Sequence, residues 1–138
     1  MVSLKRKNLI PAAIGLALAF AVASTPAIAN HSNAMFNAHK RVTLVGTIKS
    51  FEWKNPHGLI WLQVDTIDGK LMDQPELWTI EMHPPHKLAR EGWTKQTLRP
   101  GDKISIEVNP TWSASRTAFV RNLAQVNGKS FQSANAGQ

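Results

Sequence analysis

Val42-Thr43-Leu44-Val45-Gly46-Thr47-Ile48-Lys49-Ser50-Phe51-Glu52-Trp53-Lys54-Asn55-Pro56-His57-Gly58-Leu59-Ile60-Trp61-Leu62-Gln63-Val64 reads as two strands joined by a tight corner. Val42, Leu44, Gly46 and Ile48 hold one face, with Thr43, Thr47 and Lys49 between them, the period-2 pattern of a half-buried strand. Phe51 and Trp53 then carry the apolar positions on the other parity. A one-residue slip reverses the faces unless the strand bulges, so a bulge or sharp coil is expected near Ser50, as a closed sheet requires. Pro56 lacks an N–H and ends the ladder, and Gly58 is expected to free the backbone to turn. Ile60, Leu62 and Val64 then share one face of the second strand, Trp61 and Gln63 the other.

Before this stretch, Lys5, Arg6 and Lys7 precede an apolar run from Leu9 to Val22 and an Ala27-Ile28-Ala29 cleavage pattern. This predicts a secretory signal peptide over residues 1–29, cut after Ala29. Pro11 and Gly15 interrupt the run and it is short for a membrane span, so no stable span is expected after cleavage. The formal charge of +7 drops by three, to +4, when Lys5, Arg6 and Lys7 leave. The remaining charges are interspersed, which argues against nucleic acid as a partner. The chain has no Cys, which removes thiol chemistry, Cys-ligated zinc and disulfides.

Residues 30–41 read as a polar arm, with Phe36 packing on the domain. Asp68-Gly69 and Asn127-Gly128 are type I′ hairpin signals, since both positions of that turn need positive φ. Met72 to Glu76 reads as loose chain, and Leu77 to Met82 as a third strand with Trp78, Ile80 and Met82 on one face. Pro85 suits a first helical position and Gly92 a C′ position, so one to two helical turns are expected there. Thr94 caps a further short turn, Lys103 to Val108 alternates as a fourth strand, and Thr117 to Val126 forms a fifth. The expected fold is all-β with little helix: a five-stranded OB-like β-barrel over residues 42–132, with a short helix between strands three and four. Residues 133–138 read as a disordered tail.

His31-Ser32, Val42 to Ile48, Glu52-Trp53-Lys54-Asn55-Pro56-His57, Gly92-Trp93-Thr94 and Leu98-Arg99-Pro100-Gly101-Asp102 together resemble a family of small exported bacterial proteins. That family is catalogued as a domain of unknown function, six-one-five-two, and the resemblance runs from Asn30 to about Phe131. It implies an exported, periplasmic or secreted, β-rich domain and carries no activity. Where its members look like Glu-Leu-Gly-Ser-Pro-Asn, this chain has Glu81-Met82-His83-Pro84-Pro85-His86, so His83 and His86 are additions of this chain.

There is no G-x-S-x-G, no H-E-x-x-H, no Gly-rich phosphate loop and no Tyr, and no enzymatic activity is expected. The favoured function is an exported binding or interaction module for a small molecule or a periplasmic protein. Trp53, Asn55, His57, Trp61 and Trp78 are its ligand-contacting residues, because OB-type barrels bind on the face of strands two and three. The alternative is copper or zinc binding by His57 with His83 and His86, or with His31, imidazole being a good ligand for both metals. The two prolines between His83 and His86 weaken a helical i, i+3 pairing.

Overall fold

The computed structural model describes residues 34–131. The segment expected to be a signal peptide, His31 and residues 132–138 lie outside the described residues. Six strands and one helix follow in the order β1 (Val42–Glu52), β2 (Leu59–Ile67), β3 (Lys70–Glu81), α1 (Pro85–Arg90), β4 (Lys103–Pro110), β5 (Thr117–Val126) and β6 (Lys129–Ser130). They form one hydrogen-bonded sheet in the order β3-β2-β1-β4-β5-β6. All of these neighbours run antiparallel. The sheet also returns on itself, because Thr79–Glu81 of β3 pair in parallel with Thr117–Phe119 of β5. Five strands therefore bond in a ring, and the two-residue β6 is added outside it on β5.

The ring closes because β1 is bent and locally opened. Its register with β2 shifts between Ile48 and Ser50, which makes Lys49 the extra residue, and this is the bulge that the phase slip predicts. A second shift lies between Val45 and Gly46, opposite Asp65 of β2. At that point the backbones of β1 and β2 come so close that only a glycine fits. An ideal Cβ on Gly46 would stand 2.3 Å from the Gln63 carbonyl oxygen.

Alternation along β1, β2, the end of β3 and most of β4 sends one side chain set inward. Leu44, Ile48, Ile60, Leu62, Val64, Ile80, Met82, Ile104, Ile106 and Val108 are fully buried, and Leu88 of α1 joins them. Pro85 opens the helix at its first turn. Gly92, at φ 86°, ends it, with Gly92 N–H bonded to Ala89 O and Trp93 N–H to Leu88 O. That pair of bonds is a Schellman closure. Trp93 is thereby turned back onto the core, where its ring meets Phe51 and Phe131.

Both I′ turns form as expected, with Asp68 at φ 48° and Gly69 at 79°, and Asn127 at 50° and Gly128 at 75°. Each also docks on the strand next door in the same way. Thr43 N–H donates to Asp68 Oδ1 (2.8 Å) and Lys103 N–H to Asn127 Oδ1 (2.8 Å). The turn residues answer with their own N–H groups, to Thr43 O and Lys103 O.

Two local expectations need correction. Met72 to Glu76 belongs to β3, though its ladder with β2 jumps from Glu76 to Leu71 around Asp65, so these residues bow out of register. Gly58 is buried rather than a positive-φ hinge; a Cβ there would touch Glu52 O at 3.3 Å and Met82 Cβ at 3.4 Å. Phe36 of the arm before β1 packs on the domain as expected: it bridges Thr111 and meets the Phe119 ring at 5.6 Å in a tilted contact.

Candidate functional site

The corner between β1 and β2 brings its polar side chains into pairs. The β2–β3 register sets Leu59 opposite Glu81, and this places the Glu81 carboxylate beside His57. His57 Nδ1 pairs with Glu81 Oε1, with both side chains partly exposed. Nearby, the Trp61 indole N–H donates to Glu52 Oε1 at 2.7 Å, and Lys54 pairs with the other carboxylate oxygen. Lys54 first, then the Trp61 N–H, hold the Glu52 carboxyl below the usual carboxylate range. The sequence offers a ligand or a metal ion as the partner of His57. The structure supplies a carboxylate from the next strand but one.

The five proposed ligand residues do not share one surface. Trp78 pairs across the ladder with Leu62 and points into the core, 9% exposed. Trp61 is one residue out of phase with Leu62 and sits on the outer side of the same sheet, because strand side chains alternate faces. Trp53 is half-buried against Phe51, at 6.1 Å in an edge-to-face contact. Asn55 is exposed at the tip of the corner.

His83, two residues beyond Glu81, is the side chain around which space opens. Its ring packs edge-on against Phe119 at 5.0 Å. The Lys87 ammonium, one helical turn on, lies 3.4 Å from Nδ1 and 3.2 Å from Nε2. A cavity of about 180 Å³ lies on one side, framed by Met82, Leu88, Glu91, Trp93, Arg121 and Phe131. A second of about 180 Å³ lies among Phe36, Asn109 and Phe119. His83 and Arg121 line both. Burial is the main reason that His83 has a lowered pKa. The Lys87 charge adds to this, Glu91 opposes it, and His57 and Arg121 lower it further. At neutral pH the ring is a neutral donor and acceptor.

The proposed metal residues are spread out. Glu81 holds His57 and Lys87 attends His83. His86 is exposed on α1, and His31 lies outside the described residues. Among the described residues no three His, Asp or Glu side chains converge as a metal site would require. Arg121, Phe131 and Trp93 went unremarked as site residues in the sequence. The available signal was Arg121 alone, a charge interrupting the apolar run of β5.

The described residues contain no helix long and apolar enough to cross a membrane. No curated protein and no solved structure matches the chain. A family model described as a family of unknown function, DUF6152, matches residues 18–120, a span that starts and stops earlier than the resemblance over Asn30 to Phe131. That match covers most of the chain, from the end of the apolar N-terminal run to Val120 in β5, and the chain belongs to this family of unknown function.

Proposed function

We propose that the protein is an exported, periplasmic binding module without enzymatic activity, built on an OB-type barrel. Its ligand is a small carboxylate with an apolar body, taken at the His83–Arg121 cleft. The ring of five strands, its parallel β3–β5 closure and the helix between β3 and β4 support the barrel reading. The N-terminal basic, apolar and Ala-x-Ala segments support export.

The observation that carries the ligand reading is that His83 and Arg121 together line both cavities. Arg121 lines the cleft and Lys87 stands beside the His83 ring, against the single lining carboxylate of Glu91, and a guanidinium suits a carboxylate in geometry and charge. Leu88, Trp93 and Phe131 supply an apolar wall. Each cavity is smaller than the roughly 300–1,000 Å³ of drug-sized ligand sites, so the ligand is of one-ring size.

Calorimetric titration of the mature chain with phenylacetate, and with benzyl alcohol as its uncharged counterpart, tests this. Binding of phenylacetate alone, weakened at least about tenfold (1.4 kcal/mol) in Arg121→Ala, is expected. Equal binding of the two compounds, or unchanged binding in the variant, defeats the proposal. Copper or zinc binding by His57 with His83 and His86 is the second reading, supported by the suitability of imidazole for both metals and opposed by the lack of three converging ligands among the described residues. It requires His57 and His83 to leave Glu81 and Lys87, and the same titration with Cu(II) and Zn(II), repeated on His57→Ala, decides it.

A further inference from the structure

The loop between β4 and β5 presents an aromatic side chain that the core does not use. Trp112 is 63% exposed, and leaving so large an apolar surface in water is a loss unless something covers it. Yet its loop is held firmly. Trp112 N–H donates to Met35 O, Thr111 N–H to Thr117 O and Ala114 N–H to Thr111 O, while the Thr111 and Ser115 hydroxyls bond at 2.7 Å. Ala114 sits at φ 55° within it, a left-handed conformation that a side chain disfavours and that gathers at ligand clamps. The loop is therefore fixed in a conformation that displays the indole.

Behind Trp112 lies a cavity of about 270 Å³, larger than either space beside His83. Trp78 lines it, and its buried indole N–H meets no acceptor in hydrogen-bond geometry among the described residues, although the Glu76 carboxylate, already paired with Arg116, is near enough to be held low by it. Thr111 and Ser115 contribute hydroxyls to the same wall. Lys40 and Asp68 bring one charge of each sign, and Asp68 Oδ1 is already engaged by the Thr43 N–H. The lining thus combines a flat apolar platform, neutral donors and acceptors, and no charge excess.

We propose that this cavity is a second ligand site, separate from the His83 cleft, which takes an uncharged sugar ring stacked on the Trp112 indole. The C–H face of such a ring matches the platform, and its hydroxyls match the neutral polar lining. A charged ligand finds no unopposed counter-charge there. The volume, just below the range of ordinary ligand pockets, sets the bound part at about one ring.

The test is to follow the five tryptophan indole N–H signals of the mature chain by two-dimensional NMR during titration with cellobiose, N,N′-diacetylchitobiose and glucuronate. The expected result is saturable movement of the Trp112 and Trp78 signals with a neutral disaccharide. That movement disappears in Trp112→Ala, a variant that keeps the wild-type melting temperature because the side chain is exposed. The proposal is overturned by absence of saturation up to about 10 mM, by undiminished binding in Trp112→Ala, or by tighter binding of glucuronate. Movement confined to Trp93 overturns it as well, since that signal reports the His83 cleft.

Discussion

Replacing Gly46 by Ala is expected to come close to unfolding the domain. The new Cβ would lie 2.3 Å from the Gln63 carbonyl oxygen and 2.9 Å from both the Gln63 carbonyl carbon and the Val64 Cα, where ordinary contact begins at 3.4 Å. All three obstacles are backbone, so no rotamer change relieves them. Nor can β1 retreat, because Gly46 is paired with Val64 on one side and Ile104 on the other. β1 and β2 must separate by about 1 Å at the bulge. Overpacking of this kind costs about 1–3 kcal/mol, and a ladder hydrogen bond broken in a buried position adds about 1–3 kcal/mol. The expected loss is about 3–5 kcal/mol, a large part of the roughly 5–15 kcal/mol that holds a domain folded. Thermal unfolding followed by circular dichroism would then fall by about 15–30 °C. Gly69→Ala is the control. It adopts φ 79° with nothing within 4 Å of its Cβ, so only the backbone preference is at stake, about 1–2 kcal/mol. A Gly46→Ala protein that melts within about 5 °C of wild type, near 1 kcal/mol, would show that β1 and β2 do not approach as described.

Other perturbations follow from the same geometry. Leu62→Ala removes a fully buried side chain and is expected to cost about 2–5 kcal/mol in urea denaturation; a loss below about 1 kcal/mol would place Leu62 outside the core. Glu76→Gln removes the Arg116 partner, the main cause of the lowered Glu76 pKa, yet Arg116 is mostly exposed. The expected change in the denaturation midpoint is small, and smaller still in high salt. His83 gives a pH signature. Its pKa is lowered in the folded chain, so the unfolded chain takes up the proton first as pH falls. Stability is unaffected well above the ordinary imidazole value near 6.5 and declines as pH drops from there toward the lower folded value. His83→Phe should flatten that decline while leaving the later acid loss from Glu52, Asp65 and Glu76, whose lowered pKa values make their stabilisation vanish as pH falls through the folded values. Denaturation midpoints at a series of pH values in both proteins measure it.

Much of the ring was legible in local pattern. Alternation in Val42–Ile48, Leu59–Val64 and Lys103–Val108 marks three strands, and the phase slip before Phe51 marks the bulge at Lys49. Pro85 and Gly92 bracket the helix, and the Asp68-Gly69 and Asn127-Gly128 pairs fix two hairpins. The first half of β3 was hidden because Asp73, Pro75 and Glu76 break any alternation, and its ladder is itself broken opposite Asp65. The site was less legible than the fold, since it depends on register between distant strands. Parity within β2 and within β3 is readable, but whether Trp61 and Trp78 share a face depends on Trp78 falling opposite Leu62 rather than Trp61. The same register sets Glu81 beside His57, which no spacing in the sequence announces. Arg121 reaches His83 only because β5 returns to β3 at ring closure, a contact between segments with no local signal.

The measurement that bears most directly on the function is the histidine-ring NMR spectrum of the chain from Asn30 onward during titration with phenylacetate. Saturable movement of the His83 resonances is predicted, with smaller movement at His57 and none at His39 or His86, and loss of the effect in Arg121→Ala. Absence of saturation up to about 10 mM, or equal movement of the exposed His39 and His86, would contradict the assignment of the His83–Arg121 cleft as the ligand site.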